Sequence, residues 1–336
     1  MTTCVKTSNT RVYLAYLFLA LVWGTGWYAV RLCVAEGGYG VLGGAALRYS
    51  IAALFTGALI PMIPRAFGDI DKRRIGWIFL AGLFNAAAMG LLYWGEKTIS
   101  GGLAAVLVAT SPFMAVAITL ITRSERVKIH TLIGFALALT GVALIFAERL
   151  AVSPSHLLAM VSLLGSAFFF AIVNFIIKMK AKGATPLQSS VVLFFSMSIV
   201  FWLASPCEGP AILWPPPAVP TGALVYLSVA CSALAFPVFC YLLRHSSLLF
   251  ASTLAFVHPV VALITDGLLE KSFTLTTSAY LGICVVLTGV ILSMLATLDR
   301  KLRVAATDSS IESSVLEFDP ETVDTVLLKS KQRQAA

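Results

Sequence analysis

The 336 residues are 59% hydrophobic and only 12% charged, with a mean hydropathy of +0.91. That balance excludes a soluble globular domain. The net charge of +8 would suit nucleic acid, but the basic residues fall between long apolar stretches, where they mark loops on one membrane face. The expected surroundings are therefore a lipid bilayer, with no nucleic-acid partner.

Residues 1–11 form a short polar leader. The apolar segment after it outruns a signal-peptide core and lacks a clean small-residue cleavage site, so no cleavage is expected. Apolar runs predict ten membrane spans, at 12–34, 41–63, 75–93, 101–122, 130–146, 156–177, 187–203, 221–243, 248–269 and 277–298. Pro112, near the middle of the fourth, reads as a kink, because proline removes one backbone hydrogen bond. The seventh span is short, and the segment CEGPAILWPPPAVPTG at 207–222 reads as turn and extended chain. From Asp299 the chain turns polar: DRKLR is a juxtamembrane basic patch, and 304–336 read as a disordered tail. The six cysteines show no metal spacing. Cys231, Cys240 and Cys284 read as packing residues, and Cys33 and Cys207 are the one pair that could share the outer face.

The stretch YWGEKTISGGLAAVLVATSPFMAVAITLI at 93–121 returns as CYLLRHSSLLFASTLAFVHPVVALITDGLLE at 240–270. Pro112 and Pro259 lie 147 residues apart, and the same shift pairs Arg31 with Lys178, Lys97 with Arg244 and Ser100 with Ser247. A shift of 148 lays LTGV at 139–142 on LTGV at 287–290. A nearly constant shift over this length predicts an internal duplication, with repeats at 12–146 and 156–298 and a cytoplasmic tail at 299–336. Each repeat holds five spans, an odd number, so the second enters the membrane from the opposite side. The expected fold is an all-α membrane protein of ten transmembrane helices in two inverted five-helix repeats.

Orientation follows from the basic residues. With the N-terminus in the cytoplasm, the inner segments hold Arg65, Lys72, Arg73, Arg74, Arg123, Arg126, Lys128, Lys178, Lys180, Lys182 and Arg244, besides both ends of the chain. The outer segments hold Lys97, Arg149 and Lys271, with Arg31 near that face. Both termini are expected inside.

YWGEKTISGGLAAVLVATSP, LRYSIAAL in the second span, WGTGWYAVR in the first and the late LTGV resemble the EamA family of the drug/metabolite transporter superfamily. The resemblance covers about 12–296. It implies a multi-pass protein of the cell (inner or plasma) membrane that moves a small organic metabolite or amino-acid-like solute by alternating access, with a lean toward export. The second half departs more: Phe170 stands for Trp23 and Phe195 for Arg48.

No constellation supports chemistry. HExxH, Walker A, GxSxG and clustered His or Cys are absent, and Gly24–Gly26 lies inside a span, so it is no phosphate loop. The expectation is a transporter without catalytic residues, cofactor or metal. A membrane-embedded enzyme acting on lipid-linked substrates would need clustered intramembrane acids or histidines, where only His258 and Asp266 are offered. A channel would need a repeated filter motif, which is missing.

The candidate substrate site is made of polar and bulky residues at membrane depth, which are costly to keep there. Arg48 is either a fixed charge facing a cavity, able to take a carboxylate or phosphate, or a structural arginine that snorkels or pairs with a carbonyl. Trp23 and Trp27, one turn apart, either wall the substrate or pack the core. Asn85 and Asn174 either orient substrate or bond between helices. Ser111 precedes Pro112 as His258 precedes Pro259. His258 either couples transport to protons or hydrogen-bonds a neighbouring helix. Tyr93 and Tyr241 read as belt or cavity-edge residues, and Glu125 and Glu270 as solvated helix ends.

Overall fold

The computed structural model describes residues 9–34, 37–62, 71–96, 101–145, 157–209, 211–212, 216–269, 277–278 and 280–293. The expected tail at 299–336, the loop basic residues Lys97 and Arg149, and Glu270 with Lys271 lie outside them. Among the described residues the chain is all helix. The helices are α1 (Asn9–Cys33), α2 (Val41–Ala58), α3 (Lys72–Glu96), α4 (Gly101–Val108), α5 (Ser111–Thr122), α6 (Ile129–Ile145) and α7 (Leu157–Phe175). They continue with α8 (Pro186–Ala204), α9 (Ala218–Ser228), α10 (Ala235–His245), α11 (Leu248–Ser252), α12 (Leu254–Leu269) and α13 (Tyr280–Ser293). A π-helical turn, Ile176–Lys180, extends α7, and a second, Val229–Leu234, joins α9 to α10.

Eight of the resulting rods are long and apolar enough to cross a membrane; α6 and α13 are shorter apolar helices. Leu54, Ile121, Leu203 and Leu268 are each more than 70% exposed, a surface that water would oppose and a bilayer accepts.

Local chemistry sets the ends. Thr185 caps α8 in a reciprocal capping box with Gln188, and Pro186 sits in the first turn, where its missing N–H costs nothing. The 207–222 segment is shorter as a loop than expected: α9 starts at Ala218, because Pro220 also falls in a first turn.

The proline kink expected in the fourth span is a break instead. The chain leaves the helix at Ala109 and Thr110, and Pro112 opens α5. The Thr110 hydroxyl donates to the Leu107 carbonyl at 2.6 Å, satisfying a group the break exposes. The ninth span breaks too, but at Thr253, whose hydroxyl bonds Phe250 O at 2.7 Å, while Pro259 lies inside α12. The two prolines that match in sequence therefore act differently.

The two halves interlock through equivalent positions. α2 packs along α8, where Ser50 and Ser198, 148 residues apart, share a 2.7 Å hydrogen bond. α6 meets α13 backbone to backbone. A Cβ on Gly134 would stand 2.6 Å from the Gly289 carbonyl oxygen, and one on Gly141 would stand 2.8 Å from that of Gly282. The contacts pair the early glycine of one helix with the late glycine of the other, so α6 and α13 run antiparallel. Phe195, which stands for Arg48 under the 147 shift, is 57% exposed on the outer surface; the 148 shift fits α2 and α8 better.

Glu125 is not a solvated helix end. Its two carboxylate oxygens accept from the Leu248 N–H at 2.9 and 3.1 Å, at the start of α11, which Ser247 also caps. Lys178 approaches Glu125 at 3.6 Å and donates to the carbonyls of Leu243, at 2.7 Å, and Ser246. This half-buried corner ties the end of α5 in the first half to α7 and α10–α11 in the second. Cys33 and Cys207 are free thiols, the first buried and the second exposed.

Candidate functional site

Between the halves lies a cavity of about 1510 Å³, its open side included. The sequence candidates Trp23, Trp27, Arg48, Asn85, Ser111, Asn174 and His258 all line it. They come from α1, α2, α3, α5, α7 and α12, so both halves supply wall.

Each is held differently. The Trp23 indole N–H donates to the Cys231 carbonyl at 2.8 Å, within the second π turn, and its ring packs 5.1 Å from Phe239. Trp23 thus both packs and walls the cavity. Trp27 packs against the smaller cluster around Leu92, Ala104 and Leu163. The Asn85 amide donates to the Met197 sulfur at 3.1 Å, a weak acceptor. Ser111 reaches the cavity because the chain breaks just before it and starts a new helix there. His258 stands edge-on to Trp23, with ring centroids 5.5 Å apart. Its Nε2 is buried with no hydrogen-bond partner.

Arg48 does not snorkel. Its Nε donates to Ser232 Oγ at 3.0 Å, and its guanidinium lies 5.3 Å from the centre of the Tyr49 ring. Ser232 donates in turn to the Leu227 carbonyl five residues back at 2.9 Å, the spacing of a π turn. Pro237 follows that turn closely, and its missing N–H and bulky ring disfavour a regular α turn ahead of it. A second hollow, lined by Val30, Cys33, Val34, Val41 and others, shares Val30, Arg48, Tyr93 and Leu227 with the large cavity. The two meet at Arg48.

The opposite end is filled. The Tyr16 hydroxyl bonds that of Thr253 at 2.8 Å, and the Tyr16 ring packs 5.2 Å from Phe250. Val34 lies 18 residues further along the chain from Tyr16, or about 27 Å of helical rise, so the hollow and the filled layer sit at opposite ends of α1.

The model of the EamA-like transporter family matches residues 10–147 and again 157–295. The chain belongs to the EamA-like transporter family. Among relatives, the "Probable terminal-alkyne amino-acid exporter" of Streptantibioticus cattleyicolor is 26% identical, covering 74% of this chain and 82% of that protein. Protein PagO of Salmonella typhimurium is 21% identical over 85% of this chain and 93% of its own length. The uncharacterized transporter YvbV of Bacillus subtilis is 25% identical over 84% and 92%. A solved crystal structure shares the fold with a TM-score of 0.72 at 15% identity, covering 88% of this chain and 99% of that one. The family and two of these relatives are named as transporters, and the apolar helices make this EamA-like protein a multi-pass membrane protein.

Several lining residues of this EamA-like chain were not singled out from sequence: Tyr49, Phe236, Phe239, Ser232 and Ser252. Tyr49 adjoins Arg48, a usable signal. Ser232 is one small hydroxyl in an apolar run, and only the π turn aims it. Tyr93 is at the cavity edge as expected, whereas the Tyr241 hydroxyl is buried without a partner, its ring 4.1 Å from that of His245.

Proposed function

We propose that the protein is a secondary transporter that exports a small organic or amino-acid-like solute by alternating access. It would use ten spans in two inverted five-helix repeats, 12–146 and 156–298, in the cell membrane. The observation that carries this reading is the cavity walled by both halves, open past Arg48 at one end and filled around Tyr16 and Thr253 at the other. The antiparallel α6–α13 glycine contacts support inversion, because equivalent helices related by a two-fold axis in the membrane plane must run in opposite directions. The basic loops support a reading with both termini inside, in which the open hollow faces outward. The relative named as an amino-acid exporter favours the direction.

The test is transport in proteoliposomes. Flux of amino-acid-like solutes should saturate and show counterflow, since a carrier exposes its site to one side at a time. Linear flux without counterflow would favour a channel, and chemical change of the solute an enzyme.

His258 makes protons the coupling ion in this reading. A buried imidazole without a hydrogen-bond partner can gain a proton when the cavity is wet. Among the described residues, the other titratable or charged groups lining the cavity are Arg48, Tyr49, Tyr93 and Cys231, and none is a carboxylic acid that would hold the imidazolium permanently. Export should rise as the outer side is acidified, and His258→Gln should flatten that profile while leaving protein level intact. A mutant with the wild-type profile would make His258 structural.

A further inference from the structure

The cavity has an unusual charge balance for its depth. Among the described residues Arg48 is its one permanent cation, and no Asp or Glu lines either hollow. A guanidinium carries five N–H donors. Nε is spent on Ser232, and no described residue accepts a hydrogen bond from the remaining four. Taking a charge this far from water is expensive unless something neutralises it. Ser232 cannot do that, because it is neutral; it fixes the direction of the fork. The neutral hydroxyl is itself committed to Leu227 O, so it presents a lone pair to Arg48 and competes for no anion.

We infer that Arg48, aimed by Ser232 at the junction of the two hollows, is the charge-selecting contact of this transporter: it seats the single carboxylate of an organic solute and turns away cations. This rests on reading the cavity as the substrate site. The count of charges sets the class. One guanidinium balances one carboxylate through two parallel N–H···O bonds, whereas a phosphate monoester dianion would leave a full charge unmatched. Besides polar groups such as Asn85, Ser111, Asn174 and His258, the wall is largely apolar and aromatic, with Trp23, Trp27, Phe170 and Phe239 able to cover a flat body. An amine of the same shape finds no carboxylate and meets Arg48 on its way through. The counterpart in the other half under the 148 shift that fits α2 and α8, Ser196, is neutral, and its hydroxyl donates to the Leu193 carbonyl at 2.8 Å, so the selection is made once. Ser232 is a positioning residue that acts through Arg48.

The charge series indole-3-acetate, indole-3-acetamide and tryptamine holds shape nearly constant and tests this by calorimetry on the full chain in lipid nanodiscs. Indole-3-acetate should bind about tenfold or more tighter than the acetamide, the worth of a charge-assisted pair, and tryptamine should show no saturable binding. Arg48→Gln should abolish the preference by weakening the acetate alone. Ser232→Ala should reduce the acetate-to-acetamide ratio by roughly threefold, the scale of one lost hydrogen bond, with Ser232→Thr restoring it. A general structural loss would weaken both ligands and leave the ratio unmoved. If Arg48→Gln does not fold, the wild-type ratio and the Ser232→Ala ratio still decide. Equal binding of acetate and acetamide, saturable tryptamine binding, or no acetate binding overturns the assignment. Charge-selective binding without carrier flux would instead sink the transport reading and leave this one standing; saturable counterflow of tryptamine would do the reverse.

Discussion

Gly141→Val should remove most of the folded protein recovered in detergent and lower the melting temperature of the remainder sharply. A Cβ at 141 would stand 2.5 Å from the Val286 backbone nitrogen and 2.8 Å from the Gly282 carbonyl oxygen. Those are backbone atoms, so no rotamer change relieves the clash, and valine adds two methyl groups beyond the Cβ. Helices in lipid gain little from excluding water and depend on this kind of close approach. Forcing α6 and α13 apart also strips contacts from Phe135, Ala138, Val142 and Val286, all buried in one cluster. Overpacking of this kind costs about 3 kcal/mol, a large share of a marginal total. Gly90→Ala is the control: a Cβ there meets nothing within 4 Å, so its change should stay within about 1 kcal/mol, set by helix propensity alone. Equal melting of both variants in a thermal-denaturation assay would show that the α6–α13 contact does not hold the halves together.

The features legible in the sequence are those that a bilayer makes conspicuous. A charged or bulky polar residue inside an apolar run stands out because hydrocarbon penalises it, and Arg48, Asn85, Asn174 and His258 stood out for that reason. The structure gathers them with Trp23, Trp27 and Ser111 at one cavity; that they bind substrate is the proposal. The duplication was legible because glycines, prolines and basic residues are sparse enough to align. Contacts made across the chain were not. Glu125 looked like an ordinary acidic helix end beside Arg126, but its partner is a backbone N–H at Leu248, 123 residues away. Pro112 looked like a kink because sequence alone does not tell a proline inside a helix from one that opens the next. The break at Thr253 carries no proline at all. Ser232 needed the π turn, which follows from how Pro237 is accommodated rather than from any periodicity.

The Glu125–Lys178 corner carries the second large effect. Lys178→Met keeps the stem but removes the ammonium, leaving the Leu243 and Ser246 carbonyls without that donor and Glu125 without its counter-charge. The side chains are 15% and 18% exposed, so water compensates only in part. The loss should be about 2–3 kcal/mol, in the range for breaking a shielded charged contact. Glu125→Gln should cost less, because the amide oxygen can still accept from Leu248 N–H while Lys178 keeps both carbonyls. The pair should therefore couple in a double-mutant cycle, the double variant costing less than the two single losses together. The functional consequence follows from position. The corner lies at the filled end of the cavity with Tyr16, Phe250 and Thr253, and it joins α5 of one half to α11 of the other. Under the proposed alternating access that end must part, and a weaker tie shifts the population toward the parted state. Ser252 lines the cavity at this end and is 6% exposed. In a background with every other cysteine replaced by serine, Ser252→Cys should be labelled slowly from the side of the filled end, and Lys178→Met should speed the labelling by about thirtyfold, since about 2 kcal/mol is a factor of roughly 30 in an equilibrium. If Lys178→Met lowers stability but leaves that labelling rate unchanged, the corner only braces the fold, and the closure of the filled end rests on Tyr16, Phe250 and Thr253.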